Sequence, residues 1–554
     1  MVSSKSDGFM PVNSNTPTGS DPQTTSRNIH IALNNVSAWT PERRLDVVTV
    51  GAGFSGLIFA HKLQHQYPDM QDMCDVPAHI YAFPFDPKTD WSHYYATGPQ
   101  IYEYMKTTTR KWELDRDIKF NHKVIEAVWQ EQLGKWKITI ENENQTIVEF
   151  ADILISGQGV LDKWKWPQIN NFEQFQGHKC HSANWDHEYD YSNRTVAVIG
   201  NGSSGVQIIP QLAKLPNTKV ISFQRSPNFV YTPFTPAALL GRSDPSSNPA
   251  YSDDDQKRFA EQPNAHREYR KKIIHFINSG FTRYVKGSPL NLEASKAAKA
   301  QMEETLRHDP ELCTKLIPEW SLGCRRITPG EGYLESFLRP NVQLVMSPVA
   351  EMTNTSCIAA DGRTFEVDVV VCATGFDVSN KPQWRMIGRN EVDLGKMWEV
   401  DPESYLSICA RDMPNYFMFL GPNAVVAHGS IIEAINWTGD YIIKWIRKIA
   451  SENIKSIVPR ASGVDELIAY GDQIHKTMVW TDTCKSWFKR NTINGRVTAA
   501  FAGSALVFKK LLSEIRGEDF EIEYWRDNRW AFLGNGFTNF ELDHGNDLAW
   551  YIEK

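Results

Sequence analysis

No stretch of this chain approaches the ~20 apolar residues that a membrane-spanning helix needs, and its first 26 residues, MVSSKSDGFMPVNSNTPTGSDPQTTS, contain no apolar signal core. The reading is a cytoplasmic protein with no membrane partner. Long basic runs are missing, as are basic stretches interleaved with aromatics. With 59 Lys and Arg against 66 Asp and Glu, a net charge of −7, nucleic acid is a poor fit as a partner. The eight cysteines (Cys74, Cys180, Cys313, Cys324, Cys357, Cys372, Cys409 and Cys484) form no C-x-x-C pair and no paired spacing. Such scatter argues against a zinc site or a disulfide framework and suits a reducing compartment, and no metal is expected. A composition of 41% hydrophobic and 23% charged residues rules out a disordered chain or a fibre. Small molecules are left as the partner class.

What the chain does contain is a duplicated unit. VVTVGAGFSG (47–56) and VAVIGNGSSG (196–205) are each an apolar run leading into a glycine-rich turn. Each predicts a buried strand, a tight turn and a helix whose first N–H groups are free to hold a pyrophosphate. In the first turn Gly51 turns the chain, Gly53 admits the phosphate and Gly56 packs helix on strand, with Phe54 and Ser55 opening the helix. Gly200, Gly202 and Gly205 repeat those roles, with Ser203 and Ser204 between them. Two dinucleotides in one protein imply electron transfer between them. Arg225 lies 20 residues beyond Gly205 at the end of the next strand, flanked by Gln224 and Ser226. An arginine there accommodates a 2′-phosphate, where an acidic residue would take a free ribose, and so selects NADPH.

The expected fold is α/β, with two Rossmann-like dinucleotide-binding domains. We divide the chain into a disordered tail (1–40), a first part of the FAD-binding domain (41–185), an NADP-binding domain (186–345), and a second FAD-binding part with a C-terminal substrate-side region (346–554). A helical insertion at about 235–320 interrupts the NADP domain and carries no binding motif. Helical periodicity recurs at 431–450 and 505–516, and short apolar runs at 151–159 and 367–377 end in glycine.

Upstream of the second turn, FQGHKCHSANWD (175–186) resembles the F-x-G-x-x-x-H-[ST]-x-x-W-[PD] signature of the Baeyer–Villiger monooxygenases, matching at Phe175, Gly177, His181, Ser182, Trp185 and Asp186. The resemblance covers roughly 45–515. It implies FAD and NADPH as cofactors, O2 and a ketone as substrates, and an ester or lactone as product, with His181 and Trp185 coupling the nucleotide domains. FQRSPNF (223–229) is similar to the family's NADP-phosphate strand end. GCRRITPGEGYLESFLRPNVQLV (323–345) is similar to its G-x-K-R segment, which implies Arg326 as the catalytic arginine and Arg325, in place of the usual lysine, near the 2′-phosphate. ATGFD (373–377) and NYFMFLGPNAVVAHGS (415–430) resemble FAD contacts, giving Thr374, Gly375, Phe376 and Asp377. VWTDTCKSWF (479–488) resembles a substrate-side segment, and CDVPAHIY (74–81) the stretch bearing the active-site aspartate, here Asp75. The flavour is closest to fungal secondary-metabolism members acting on polyketide or terpenoid ketones. Oxygenation of nitrogen or sulfur is the alternative chemistry.

The chain also departs from that pattern. Only 18 residues separate Gly56 from Asp75, where a complete unit through its acidic ribose residue needs about 30, and no GGTW occurs. The first unit therefore lacks a strand. That gap is read either as a splice or gene-model artefact or as a real loss, leaving a protein that binds FAD poorly or an inactive relic. Oligomeric state is not legible.

Overall fold

β-branched residues dominate both apolar runs, and both become buried parallel strands. In the computed structural model, which describes residues 38, 43–65, 77–143, 145–231, 239–242, 246, 248–426 and 428–552, Val47–Val50 pairs with Ile153–Ser156, which pairs in turn with Tyr416–Met418. These three parallel strands form the first nucleotide sheet, and among the described residues nothing pairs with the free side of Val47–Val50. The helix Phe54–His65 follows the turn. It buries Leu57, Ile58 and Phe59 against Ile432, Ile435, Ile442 and Trp445 of the helix Ile431–Ser451, whose apolar residues recur at helical spacing.

The second sheet has five parallel strands in the order His178–His181, Val369–Cys372, Thr195–Ile199, Lys219–Phe223, Val342–Val345. Two of its strands, Val342–Val345 and Val369–Cys372, come from far outside the repeated unit. Val369–Cys372 inserts beside Thr195–Ile199, and the signature segment contributes His178–His181 at the edge. A third sheet pairs Lys123–Gln130, Lys135–Asn142 and Gln145–Ala151 as a meander, with Arg385–Ile387 parallel on its edge. Trp136, Ile138 and Ile140 face its buried side together with Val48 and Leu154 of the first sheet.

The insertion folds as four helices, Asp253–Glu261, Pro263–Ser279, Pro289–Thr305 and Pro310–Leu316, three of them opening on proline at a position whose N–H needs no helical partner. It bridges the two halves. Tyr251, Phe259, Tyr269 and Ile273 join the core of the first unit, while Ala298, Met302 and Leu306 join that of the second.

One expectation is corrected. Cys324 and Cys484, both buried and 160 residues apart, are joined in a disulfide with their Cα atoms 6.1 Å apart. Spacing along the chain shows only local pairings, and this one is made by the tertiary fold. Cys180, Cys313, Cys357, Cys372 and Cys409 remain as thiols. Among the described residues no cluster of His, Cys, Asp and Glu could hold a metal, and no helix is long and apolar enough to cross a membrane. The expected tail, apart from Ala38, and Asp75 with the short connection before it lie outside the described residues.

Candidate functional site

Both glycine turns open onto one cavity of about 1460 Å³ between the nucleotide sheets. Gly51 and Gly200 share a φ of +112°, a backbone conformation that side-chain-bearing residues rarely adopt. A Cβ on Gly51 would collide with the carbonyl of Gly157, and one on Gly200 with that of Ala373. Gly56 and Gly205 lie equally tight against the carbonyls of Gly51 and Gly200. At Gly53 and Gly202, by contrast, a Cβ would meet nothing within 4 Å. Four glycines are thus spent on packing, and two hold the backbone open to the cavity. The helical ladders start with Leu57 donating to Gly53 at 2.9 Å and Val206 donating to Gly202 at 3.0 Å. The N–H groups before those bonds, at Phe54, Ser55, Ser203 and Ser204, have no helical acceptor and suit a pyrophosphate. The open cradle at each turn and the cavity they share fit two dinucleotides.

Beside the second turn, Arg225, Ser226 and Arg325 line the cavity. Nη1 of Arg325 donates to the Pro227 carbonyl at 3.0 Å and to Ser226 Oγ at 3.3 Å. Burial first, and then the charge of Arg225, hold the Arg325 guanidinium below its usual range. Two neighbouring guanidinium groups on one wall suit a dianionic phosphate. Gln224 does not reach the cavity. Its side chain is buried and donates to Ser222 Oγ at 3.0 Å and to the Tyr333 hydroxyl at 2.9 Å, while accepting from Asn201 at 2.9 Å. It braces the strand end, and Arg225 is left to face the ligand.

Arg326 lines the same cavity, one residue on, and Ser203 Oγ meets Thr328 Oγ1 at 3.0 Å, tying that segment to the second turn. The disulfide at Cys324 then fastens it to the stretch whose Lys485, Trp487 and Phe488 form another part of the wall. Thr374, Gly375 and Phe376 line the cavity, but Asp377 does not. Its carboxylate accepts from the Ser379 N–H at 2.9 Å and faces a smaller neighbouring cleft.

His181 is buried behind the wall, stacked on Trp164 with ring centroids 4.5 Å apart. Its Nδ1 accepts from the Ala183 N–H at 3.1 Å, so the proton sits on Nε2, which donates to Thr374 Oγ1 at 3.3 Å. Burial lowers its pKa and keeps it neutral. Trp185 stacks on Tyr191 at 4.8 Å, away from the cavity. Through one hydrogen bond, therefore, the signature histidine holds a residue of the cavity wall.

Sequence reasoning missed several lining residues. Phe276, Ile277, Arg283 and Tyr284 come from the insertion. His428 packs against Phe281 with ring centroids 4.8 Å apart, is 5% exposed, and has no partner at either ring nitrogen among the described residues, and burial pushes it down to about 4. Nothing in the insertion's sequence marks its wall residues, because they converge only when its helices dock on both halves.

Residues 73–232 match the family described as "Flavin-binding monooxygenase-like". The chain is 36% identical to the FAD-binding monooxygenase tazF of Aspergillus terreus, over 98% of this chain and 100% of that protein. This chain belongs to the FAD-binding monooxygenases. The alignment spans 570 positions, more than the chain's own 554, so the relative carries residues with no counterpart in this monooxygenase. A protein of Pseudomonas aeruginosa named Baeyer–Villiger monooxygenase is 25% identical over 88% of this chain and 93% of its own length. The fold of this monooxygenase is that of the closed crystal structure of cyclohexanone monooxygenase, with a TM-score of 0.73 at 24% identity, covering 87% of this chain and all of that one.

Proposed function

We propose that this enzyme uses FAD, NADPH and O2 to insert an oxygen atom next to a ketone carbonyl, giving an ester or lactone, on a large apolar secondary metabolite such as a polyketide or terpenoid. The observation that carries the reading is the position of Arg326, on the wall of the cavity that both glycine turns face. When bound, the flavin supplies the oxygen-activating chemistry, with NADPH as its reductant. The chain's own residues do the rest. The turns at Gly53 and Gly202 grip pyrophosphates, and Arg225 and Arg325 grip the 2′-phosphate. The guanidinium of Arg326 stabilises negative charge developing on the substrate's carbonyl oxygen. Val425, Ile431 and Ile435 give the same cavity part of its apolar wall, which limits water there. Asp75 is the proposed partner that sets the position of Arg326.

Incubation of the FAD-loaded protein with NADPH and panels of ketones, amines and sulfides tests the reading. Ester or lactone is expected from ketones, and Arg326→Ala is expected to consume NADPH without forming it. Products from amines or sulfides alone would sink the ketone assignment. The side of Val47–Val50 that pairs with no strand among the described residues favours a second reading, a protein that holds FAD weakly. An absorbance spectrum of the purified protein with and without added FAD separates the two, since a preparation that stays colourless supports the relic.

A further inference from the structure

Five cationic side chains line the cavity, Arg225, Arg283, Arg325, Arg326 and Lys485, and no Asp or Glu is among its described lining residues. The whole protein is net −7, so this positive charge is segregated, and a cleft lined by one sign concentrates ligands of the other. Three of the five have work in the function proposed above: Arg225 and Arg325 at the 2′-phosphate, Arg326 at the ketone. Lys485 is exposed. Arg283 has no such task.

Arg283 stands on the short 3-10 turn Phe281–Tyr284 that follows the helix Pro263–Ser279. Its guanidinium lies over Gly280, where a Cβ would come 3.4 Å from Nη1 and 3.5 Å from Nη2, so a larger residue at 280 would displace it. The carbonyl end of that helix favours a cation in this place. No ion pair neutralises Arg283 among the described residues, and its Nε is buried with no acceptor. A buried donor left unpaired is costly in a folded protein, and a ligand that supplies the acceptor removes the cost. Tyr284, next in the chain, lines the cavity with Arg283 and Arg326, and its hydroxyl lies in the field of both. Phe276 and Ile277, on the same helix, make the surroundings apolar.

We infer that Arg283 anchors an anionic oxygen group of the substrate, a carboxylate or an ionised phenol or enol, while Arg326 faces the ketone. This rests on the proposed ketone oxygenation and narrows its substrate class to apolar ketones that carry an acidic group.

The probes are 4-acetylbenzoate and its methyl ester, which share a skeleton and differ in charge. Dissociation constants are measured by calorimetry on protein loaded with FAD and NADP+, and Michaelis constants by product formation. The wild type is expected to bind the acid about 10-fold or more tighter than the ester. Arg283→Leu should bring that ratio to about 1, and Arg283→Lys should keep most of it, which separates loss of charge from misfolding. Equal binding of the two probes by the wild type, or a preference that survives Arg283→Leu, overturns the inference. So does a preference lost in Lys485→Gln instead. Because binding is read without turnover, an intact acid preference with no ester product would overturn the oxygen insertion and leave the anion site standing.

Discussion

Around Gly51 and around Gly200 the backbone is the same: φ is +112° at both, the third glycine packs on the first, and the middle glycine faces open space. Beyond the following helix the two units part. Thr195–Ile199 has Lys219–Phe223 on its flank, and that strand delivers Arg225 and Ser226 to the cavity. Val47–Val50 has no described strand in the corresponding place. The turn and the ribose site are therefore separable. A strand, turn and helix shape a pyrophosphate cradle within ten residues of sequence, whereas recognition of the sugar needs the next strand to return alongside. Among the described residues, the second unit has both the turn and the flanking strand, and the first has the turn.

The strongest way to break this comparison is to fill the packed glycines. Gly56→Ala and Gly205→Ala each place a methyl group against a carbonyl, and each should cost at least about 3 kcal/mol in chemical denaturation. If Gly56→Ala is tolerated while Gly205→Ala is not, the two turns are not equivalent. Next in size is the staple, which secures the Arg325 and Arg326 segment and has no counterpart at the first turn among the described residues. Cys324→Ser should lower stability by about 2–4 kcal/mol under oxidising conditions, with Cys484→Ser giving the same value, since either removes one crosslink. Unequal losses would mean that one thiol matters by itself.

Arg225→Ala sharpens the contrast at the ribose end. The Michaelis constant for NADPH is expected to rise about 10-fold or more with that for NADH nearly unchanged, and FAD affinity should not move. An equal rise for both nicotinamides would remove the 2′-phosphate assignment. The smallest effect is expected from repair. A strand ending in an acidic residue, grafted between Gln66 and Asp75, should tighten FAD binding about 10-fold by flavin fluorescence titration. No gain would show that the first unit holds its cofactor without a ribose clamp.

Much of the site was legible because its parts are local. The glycine spacing located both cradles, and Arg225, singled out at the second strand end, lines the cavity they share. His181 was read as a coupling residue, and the structure supplies its hydrogen bond to Thr374. Gln224 shows where a linear reading stops. It neighbours Arg225 in sequence, yet alternation along the strand end turns its amide inward to Tyr333. Asp377 fails for a similar reason, its carboxylate being held by the Ser379 turn.

By itself the amino-acid sequence determined the repeated strand-turn-helix units, the family, and the shortened connection in the first unit, because each depends on residues within a few turns of one another. Only the tertiary structure decided which strands share a sheet, that Cys324 meets Cys484, and that Arg283 of the insertion stands over the same cavity as Arg326. Those contacts join residues tens to hundreds of positions apart, and burial and chain packing, not spacing, choose such partners.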